Sequence, residues 1–279
     1  MKVAVSGALG FVGRHVVAEL HQRQVDTVLL VRHAHAVTAL PHQHIVECDL
    51  LQEPADIYAR AGFPDVLLHL GWGGLPHYDA LHHFERERPA HYRFIQAMVR
   101  AGLPHAVVAG TCFEYGMQSG SLHEDLACQP ANAYGHAKDT LRRELAMLVR
   151  QQPFRLTWAR LFYLFGDGQS PNALLPQLHS AVARGDSSFP MSGGEQLRDY
   201  LPVTLAARHL VDLALRPQGE GTVNICSGRP TSVRSLVEGW IREHGWPITP
   251  AFGRYPYPAH EPMAFWGDDT RLRQWLPPS

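Results

Sequence analysis

Residues 2–20, KVAVSGALGFVGRHVVAEL, decide the fold of this chain of 279 residues. The first apolar residues predict a buried β-strand, and the later ones recur at helical spacing. Three glycines, Gly7, Gly10 and Gly13, lie between the two. Arg14 interrupts the apolar stretch, which disfavours a secretory signal peptide. The stretch therefore predicts a strand, a glycine turn and a helix.

Each glycine has a physical role in binding a dinucleotide. Gly7 allows the tight turn, Gly10 lets the backbone approach a pyrophosphate, and Gly13 lets the helix pack close to the sheet. The start of the helix, at Phe11 and Val12, offers unpaired N–H groups and a positive dipole end to the phosphates. We predict a dinucleotide site at this turn.

Apolar strands alternate with amphipathic helices up to about residue 165, which predicts an α/β fold with a Rossmann-type doubly wound parallel sheet. Beyond that point Gly, Pro and Ser become common and the predicted elements are shorter. We predict a dinucleotide-binding domain over residues 1–165 and a smaller substrate-binding lobe over 166–279. Within the second range, residues 198–225 are predicted to return to the first domain.

The composition excludes several classes of partner. The net charge is −1 at pH 7, so nucleic acid and anionic membranes are poor partners. The sequence has no apolar run of about eighteen residues that would predict a membrane span. The four cysteines form no CxxC pair and the 18 histidines are scattered. We therefore expect reduced thiols, a cytoplasmic location and no metal site.

The segment 131–141, ANAYGHAKDTL, contains Lys138, and of the 25 lysine and arginine residues only Lys2 is another lysine. Tyr134 lies four residues before Lys138, so a helix places both on one face. A nearby ammonium stabilises phenolate, so we predict that Lys138 lowers the pKa of Tyr134 for general acid–base catalysis. Nine tyrosines and two lysines give roughly 0.06 such pairs by chance, which disfavours an ordinary solvated pair.

The GxxGxxG turn and the YxxxK pair resemble the short-chain dehydrogenase/reductase superfamily, particularly its extended branch, which acts on nucleotide sugars. The resemblance covers nearly the whole chain. It implies that Lys138 also binds the nicotinamide ribose and that the substrate is a nucleotide sugar. It further implies a homodimer formed through the two long helices that flank the fifth strand.

The segment 109–116, AGTCFEYG, resembles the part of that family that carries a third catalytic group, a hydroxyl. The resemblance places Thr111 there, where it would hydrogen-bond the reacting sugar oxygen. If the strand continues through this segment, alternation puts Thr111, Phe113 and Tyr115 on one side, and Phe113 then lines the substrate site. Cys112 is interpreted as an inert thiol rather than a nucleophile.

The end of the second strand discriminates between the two nicotinamide cofactors. A carboxylate there would repel a 2′-phosphate and select NAD. The sequence has Arg32 instead, which can pair with that phosphate, so we predict NADP, with NAD as the alternative. The resemblance implies further cofactor contacts at Asp49, Leu50 and Leu70, although Asp49 is equally consistent with a helix N-cap.

Besides Thr111, Phe113 and Tyr134, three further residues are candidates for binding the substrate. LRDYLPV, residues 197–203, resembles the family segment that holds the substrate diphosphate through Arg198; the alternative is a surface arginine. SPNALLPQL resembles the segment that supplies an asparagine, hence Asn172, whose alternative role is a helix N-cap. Arg254 is the arginine nearest to the position where the family has another phosphate ligand.

The two residues after Thr111 exclude one reaction of this family. A 4,6-dehydratase of this family needs an acid and a base directly after the threonine, where this chain has Cys112 and Phe113. We therefore predict an NADPH-dependent 4-keto-reductase acting on a nucleotide-linked 4-keto-6-deoxy sugar in surface-polysaccharide synthesis. The alternatives are a 4-epimerase with tightly bound NAD and, in a different class, a dinucleotide-binding regulator without turnover.

Overall fold

The computed structural model of the protein describes residues 1–52, 56–257 and 262–276. The predicted domains also include residues 53–55, 258–261 and 277–279, which lie outside the described residues. The helices are α1 (Phe11–Gln22), α2 (Ile57–Arg60), α3 (Arg88–Arg100), α4 (Ala133–Gln151), α5 (Leu174–Ala183), α6 (Val203–Leu215), α7 (Val233–His244) and α8 (Thr270–Trp275). Short 3₁₀ helices cover Ala34–Ala36 and Cys112–Tyr115, and a π-helical turn covers His83–Glu87.

The strands are β1 (Lys2–Ser6), β2 (Asp26–Val31), β3 (Gln43–Glu47), β4 (Val66–His69), β5 (His105–Thr111), β6 (Gly120–Leu122), β7 (Arg155–Leu161), β8 (Tyr163–Phe165), β9 (Ser188–Pro190), β10 (Leu197–Arg198), β11 (Tyr200–Pro202), β12 (Gly221–Ile225), β13 (Thr231–Ser232), β14 (Thr249–Ala251) and β15 (Phe265–Gly267).

None of the helices within the described ranges is long and apolar enough to cross a membrane.

Seven strands form one parallel sheet in the order β12-β7-β5-β4-β1-β2-β3, which confirms the predicted Rossmann-type α/β fold. The chain builds outward from β1 to β3 and then crosses to β4 on the other side of β1. Connections that diverge in this way leave a crevice at the carboxyl ends of the strands. Ser6 and His69, paired in the register of β1 and β4, mark this point.

Helices cover both faces of the sheet because the central strands are apolar on both sides. On one face α1 and α6 contribute buried residues such as Val16 and Leu210. On the other face α3 and α4 contribute Phe94 and Leu141. The two apolar layers hold the sheet rigidly, so the loops at its carboxyl edge are placed on a fixed frame.

The later part of the chain forms a separate apolar cluster around Leu178, Phe189 and Trp240. It joins α5 and α7 with the short paired strands β9 and β14. Residues 221–225 nevertheless pair with β7 as the edge strand of the main sheet. The division of the chain at residue 165 stays a prediction.

The close approach of α1 to the glycine turn generates a test of the fold. A Cβ atom on Gly13 would lie 2.0 Å from the carbonyl oxygen of Gly7, so Gly13→Ala must displace the backbone. We expect this variant to be destabilised by roughly 1–3 kcal/mol, as for other overpacked sites, in a denaturant titration.

The matched control is Gly239→Ala in α7. A Cβ atom there meets nothing within 4 Å among the described residues. Alanine also favours helix over glycine by about 1 kcal/mol, so this variant should be unchanged or more stable. Equal stability of the two variants would contradict the close contact at the turn.

Candidate active site

A cavity of about 440 Å³ opens at the carboxyl ends of β1, β2 and β4. Four of the predicted cofactor residues line it: Gly7, Gly10, Arg32 and Leu50. The remaining lining residues are Ala8, Leu9, Leu30, Val31, His33, Cys48, Leu51, Gly71, Trp72, Gly73, Glu87 and His91. Its size lies in the usual range for cofactor sites.

The glycine turn fits a dinucleotide. Gly7 has a φ of +71°, and a Cβ there would lie 2.6 Å from the amide nitrogen of Gly71 on the facing loop. Gly10 precedes the first turn of α1 and carries no side-chain cap, so the N–H groups at Phe11 and Val12 remain available to phosphate oxygens. Larger side chains at Gly7 and Gly10 would fill the space that a pyrophosphate needs.

The other seven predicted cofactor residues do not line the cavity: Phe11, Val12, Gly13, Asp49, Leu70, Tyr134 and Lys138. The carboxylate of Asp49 accepts hydrogen bonds from the backbone N–H of Leu51 and from the side chain of Gln52, at 3.1 and 3.0 Å. Asp49 therefore stabilises a local turn. Leu70 donates its N–H to Ser6 at 3.1 Å and packs its side chain against the core.

Helix α4 places Tyr134 and Lys138 together. The side chain of Asn132 caps the helix by accepting a hydrogen bond from Gly135 N–H at 2.8 Å. A Cβ on Gly135 would lie 2.6 Å from the carbonyl oxygen of Phe113, so glycine allows α4 to approach the segment after β5 closely. Tyr134 and Lys138 are both buried on this face.

Lys138 reaches across the carboxyl end of the sheet. Its Nζ donates to the carbonyl oxygen of Ala109 in β5 at 2.9 Å and lies 4.0 Å from the centre of the Trp72 ring. Burial lowers the pKa of Lys138 to about 7, although the charges of Glu114 and Glu87 oppose the change. A lysine that titrates near neutrality is suited to proton transfer.

Tyr134 has a pKa above its ordinary value, chiefly because of burial, with further contributions from Tyr78, Glu114 and Cys112. The predicted lowering of the Tyr134 pKa by Lys138 is therefore wrong. Nζ of Lys138 lies 5.9 Å from the centre of the phenol ring, and burial disfavours its charged form. The phenol remains protonated at neutral pH, as a proton donor must.

Thr111 is the last residue of β5, and the chain then turns into the 3₁₀ helix Cys112–Tyr115. The predicted alternation of Thr111, Phe113 and Tyr115 along one strand is therefore wrong. Glu114 causes the turn, because its carboxylate accepts the N–H of Thr111 at 2.8 Å while Thr111 Oγ1 accepts the N–H of Phe113 at 3.3 Å. The Thr111 hydroxyl lies near enough to the phenol of Tyr134 to lower its pKa, which opposes the larger effect of burial.

Glu114 is completely buried, and its charge is balanced by Arg160, whose Nε donates at 2.7 Å. Glu114, Cys128 and Asp139 lie close enough together to resemble a metal site. Their ligand atoms already accept hydrogen bonds from guanidinium groups. Arg160 also donates to Cys128 at 2.8 Å, and Arg142 donates to Asp139 at 2.7 Å. This network holds Thr111 in place.

Aromatic rings connect Tyr134 with one of the predicted substrate residues. Phe113 lies 6.4 Å from the ring of Tyr134 and 6.4 Å from that of Tyr163. The guanidinium of Arg198 lies 6.0 Å from Tyr163 and 4.7 Å from Phe265. Arg198 is 2% exposed, so the alternative of a surface arginine is wrong.

The other two substrate candidates lie on exposed turns. Asn172 precedes α5, but the N-cap position belongs to Ala173, so its alternative role as a helix cap is also wrong. Arg254 is exposed and donates its backbone N–H to Met191 at 2.8 Å. The described contacts do not bring either side chain to Tyr134.

Trp72, Glu87 and His91 line the cavity but are not among the predicted site residues. Glu87 and His91 are four residues apart, and a tryptophan between glycines follows the fourth strand, so both signals were present. Whether these residues line the cavity depends on which strands are neighbours in the sheet, and tertiary structure sets that order.

Comparison with known proteins identifies the family of the chain. The profile of the NAD dependent epimerase/dehydratase family matches residues 3–226. A dTDP-6-deoxy-L-talose 4-dehydrogenase (NAD(+)) of Aggregatibacter actinomycetemcomitans is 30% identical over 96% of this chain and 99% of its own. A dTDP-6-deoxy-L-talose 4-dehydrogenase (NAD(P)(+)) of Kitasatospora kifunensis is 27% identical over 88% of this chain and 80% of its own.

A solved structure, MoeE5 in complex with UDP-glucuronic acid and NAD, superposes with a TM-score of 0.83 and 26% identity. The match covers 99% of this chain and 92% of that one. The glycine turn, the parallel sheet and the whole-length similarity lead to one conclusion: this chain belongs to the NAD-dependent epimerase/dehydratase family, whose members include enzymes that act on nucleotide sugars.

Proposed function

We propose that this protein is an NADPH-dependent reductase of a nucleotide-linked 4-keto-6-deoxy sugar, such as a dTDP- or CDP-linked hexulose. The observation that carries the proposal is the group formed by Thr111, Tyr134 and Lys138, which contacts the dinucleotide cavity through the lining residue Trp72. We further propose that it works as a cytoplasmic homodimer in surface-polysaccharide synthesis, as expected from the sequence.

The three side chains divide the chemistry between them. A bound nicotinamide dinucleotide would supply the hydride. Tyr134 donates the phenolic proton to the carbonyl oxygen at C4, which becomes a hydroxyl. Thr111 orients that oxygen by a hydrogen bond, and Lys138 binds the ribose and stabilises the phenolate that remains.

Two observations favour reduction over the alternatives. The raised pKa of Tyr134 keeps the phenol protonated and ready to donate, which is the state that reduction requires. Cys112 and Phe113, which follow Thr111, carry no carboxyl group for dehydration. The relatives named as 6-deoxy-L-talose 4-dehydrogenases are consistent with this reading, because 4-keto reduction is the reverse of a 4-dehydrogenation.

Arg32 supports the choice of NADP. It lines the cavity beside His33 at the end of β2, where the adenosine ribose of a dinucleotide would lie. No carboxylate lines that end of the cavity among the described residues. Relatives are named for NAD and for NAD(P), so the preference is proposed from Arg32 itself.

The proposed acid is tested by Tyr134→Phe. We expect NADPH oxidation with a 4-keto-6-deoxy nucleotide sugar to fall by about two orders of magnitude or more, because the proton donor is lost. Tyr58→Phe is the control, since its hydroxyl donates to Gly102 on the protein surface. Cofactor-neutral interconversion of two sugars would indicate an epimerase instead, and a Tyr134→Phe variant with unchanged turnover would refute the proposed acid.

The proposed cofactor preference is tested by calorimetry on Arg32→Ala. Loss of a charge-assisted pair with the 2′-phosphate should weaken NADPH binding about 10- to 100-fold and leave NADH binding nearly unchanged. Arg184→Ala, which removes an exposed arginine paired with Asp186, is the control. Tighter binding of NADH than NADPH by the unaltered protein would contradict the preference.

A further inference from the structure

Trp72 contacts both of the proposed catalytic side chains on α4. It follows β4 between two glycines, Gly71 and Gly73, and lines the cavity. The Nζ atom of Lys138 lies 4.0 Å from the centre of its ring, and the ring of Tyr134 lies edge-on at 6.0 Å. Trp72 belongs to neither the glycine turn nor the YxxxK pair, so these motifs assign it no role.

We infer that Trp72 is a positioning residue for Lys138: its indole binds the buried ammonium group through a cation–π contact and keeps that group charged beside Tyr134. That this contact serves turnover rests on the proposed function. The contact itself is a property of the cofactor-free chain and can be tested without cofactor or substrate.

The indole is fixed by a hydrogen bond and by stacking. Its Nε1–H donates to His83 Nδ1 at 3.1 Å. The other ring nitrogen of His83 lies 2.9 Å from the carbonyl oxygen of His77, which can only accept, so Nε2 carries the proton and Nδ1 is free to accept. The ring also stacks on His91, with centroids 4.7 Å apart and planes 13° from parallel.

A buried polar chain holds His91 in turn. The carboxylate of Glu87 accepts from His91 Nε2 at 3.1 Å, so His91 Nδ1 must accept from His69 Nε2 at 2.8 Å. His69 Nδ1 then accepts from the hydroxyl of Ser6 at 2.8 Å. All donors in this chain point towards Glu87, which also accepts the N–H of Gly73 at 2.7 Å and so fixes the backbone next to the tryptophan.

Lys138 needs such a partner because burial disfavours its charge. The acidic groups that face it are Glu114 after β5 and Glu87 before α3, and both favour the ammonium. The basic groups near it are three histidines, His69, His83 and His91, whose pKa values burial lowers, so they are neutral at pH 7. A cation–π contact away from water therefore adds to the stabilisation of the charged form.

The composition of the chain makes this contact measurable. Lysine labelled with ¹³C at Cε gives signals from only Lys2 and Lys138, and a Lys2→Arg variant assigns them. In the cofactor-free protein we expect the Lys138 signal to titrate with a midpoint near its pKa of about 7. In Trp72→Leu the midpoint should fall by about one pH unit, because the π-face is lost. Trp72→Phe should show a smaller fall, and the Lys2 signal should not move in either variant.

The direction of the shift separates this role from a purely structural one. If Trp72 only excluded water, its removal would hydrate Lys138 and raise the midpoint. A raised or unchanged midpoint in Trp72→Leu would therefore overturn the inference.

A second measurement applies even if Trp72→Leu does not fold. Fluorinated tryptophan keeps the ring shape and weakens its π-face, so its incorporation should also lower the midpoint. The Trp72→Phe variant with the same labelling is the control and should show no further change. No effect of fluorination in the otherwise unaltered chain would contradict the inference. The Tyr134→Phe assay is independent of both results.

Discussion

The site depends on one buried ammonium group, that of Lys138, held between the end of a parallel strand and an aromatic ring. Its Nζ donates to Ala109 of β5 and lies over Trp72 of the loop after β4. An arginine would need more space and more acceptors than this position offers. A chain that uses arginine at 23 of its 25 lysine and arginine positions therefore keeps a lysine where a compact cation must be enclosed.

The parallel sheet is what makes this enclosure possible. All seven strands end at the same edge, so the glycine turn after β1, the tryptophan after β4 and the threonine at the end of β5 come together although they are far apart in sequence. Glu114 and Arg160 form a buried ion pair below this edge and fix the turn after Thr111. The rigid sheet and this pair position the hydroxyl that contacts Tyr134.

The fold and the main groups of the site could be predicted because they follow from local patterns. Gly7, Gly10 and the pair Tyr134–Lys138 have spacings whose geometry is set by one turn or one helix. The turn after Thr111 could not be predicted, because the residues up to Tyr115 are mostly strand formers. The cause of the turn, a capping Glu114, is held by a distant arginine. The direction of the pKa shift of Tyr134 was missed for a related reason, since helical spacing shows proximity to a charge and says nothing about burial.

The buried histidines illustrate the same limit. His69 lies on a strand and His91 on a helix, and nothing local distinguishes them from the other 16 histidines. They acquire a shared role only because β4 and α3 pack together and leave a hydrogen-bonded chain from Ser6 to Glu87. This chain holds the ring that covers Lys138.

A crystal structure of the protein with NADPH bound would show whether the α4 side chains face the nicotinamide end of the cofactor. We expect Nζ of Lys138 to lie within about 3 Å of a nicotinamide ribose hydroxyl, and the hydroxyl groups of Tyr134 and Thr111 to face the same end of the dinucleotide. A nicotinamide ring placed away from both α4 side chains, or a dinucleotide bound outside the cavity of the glycine turn, would contradict it.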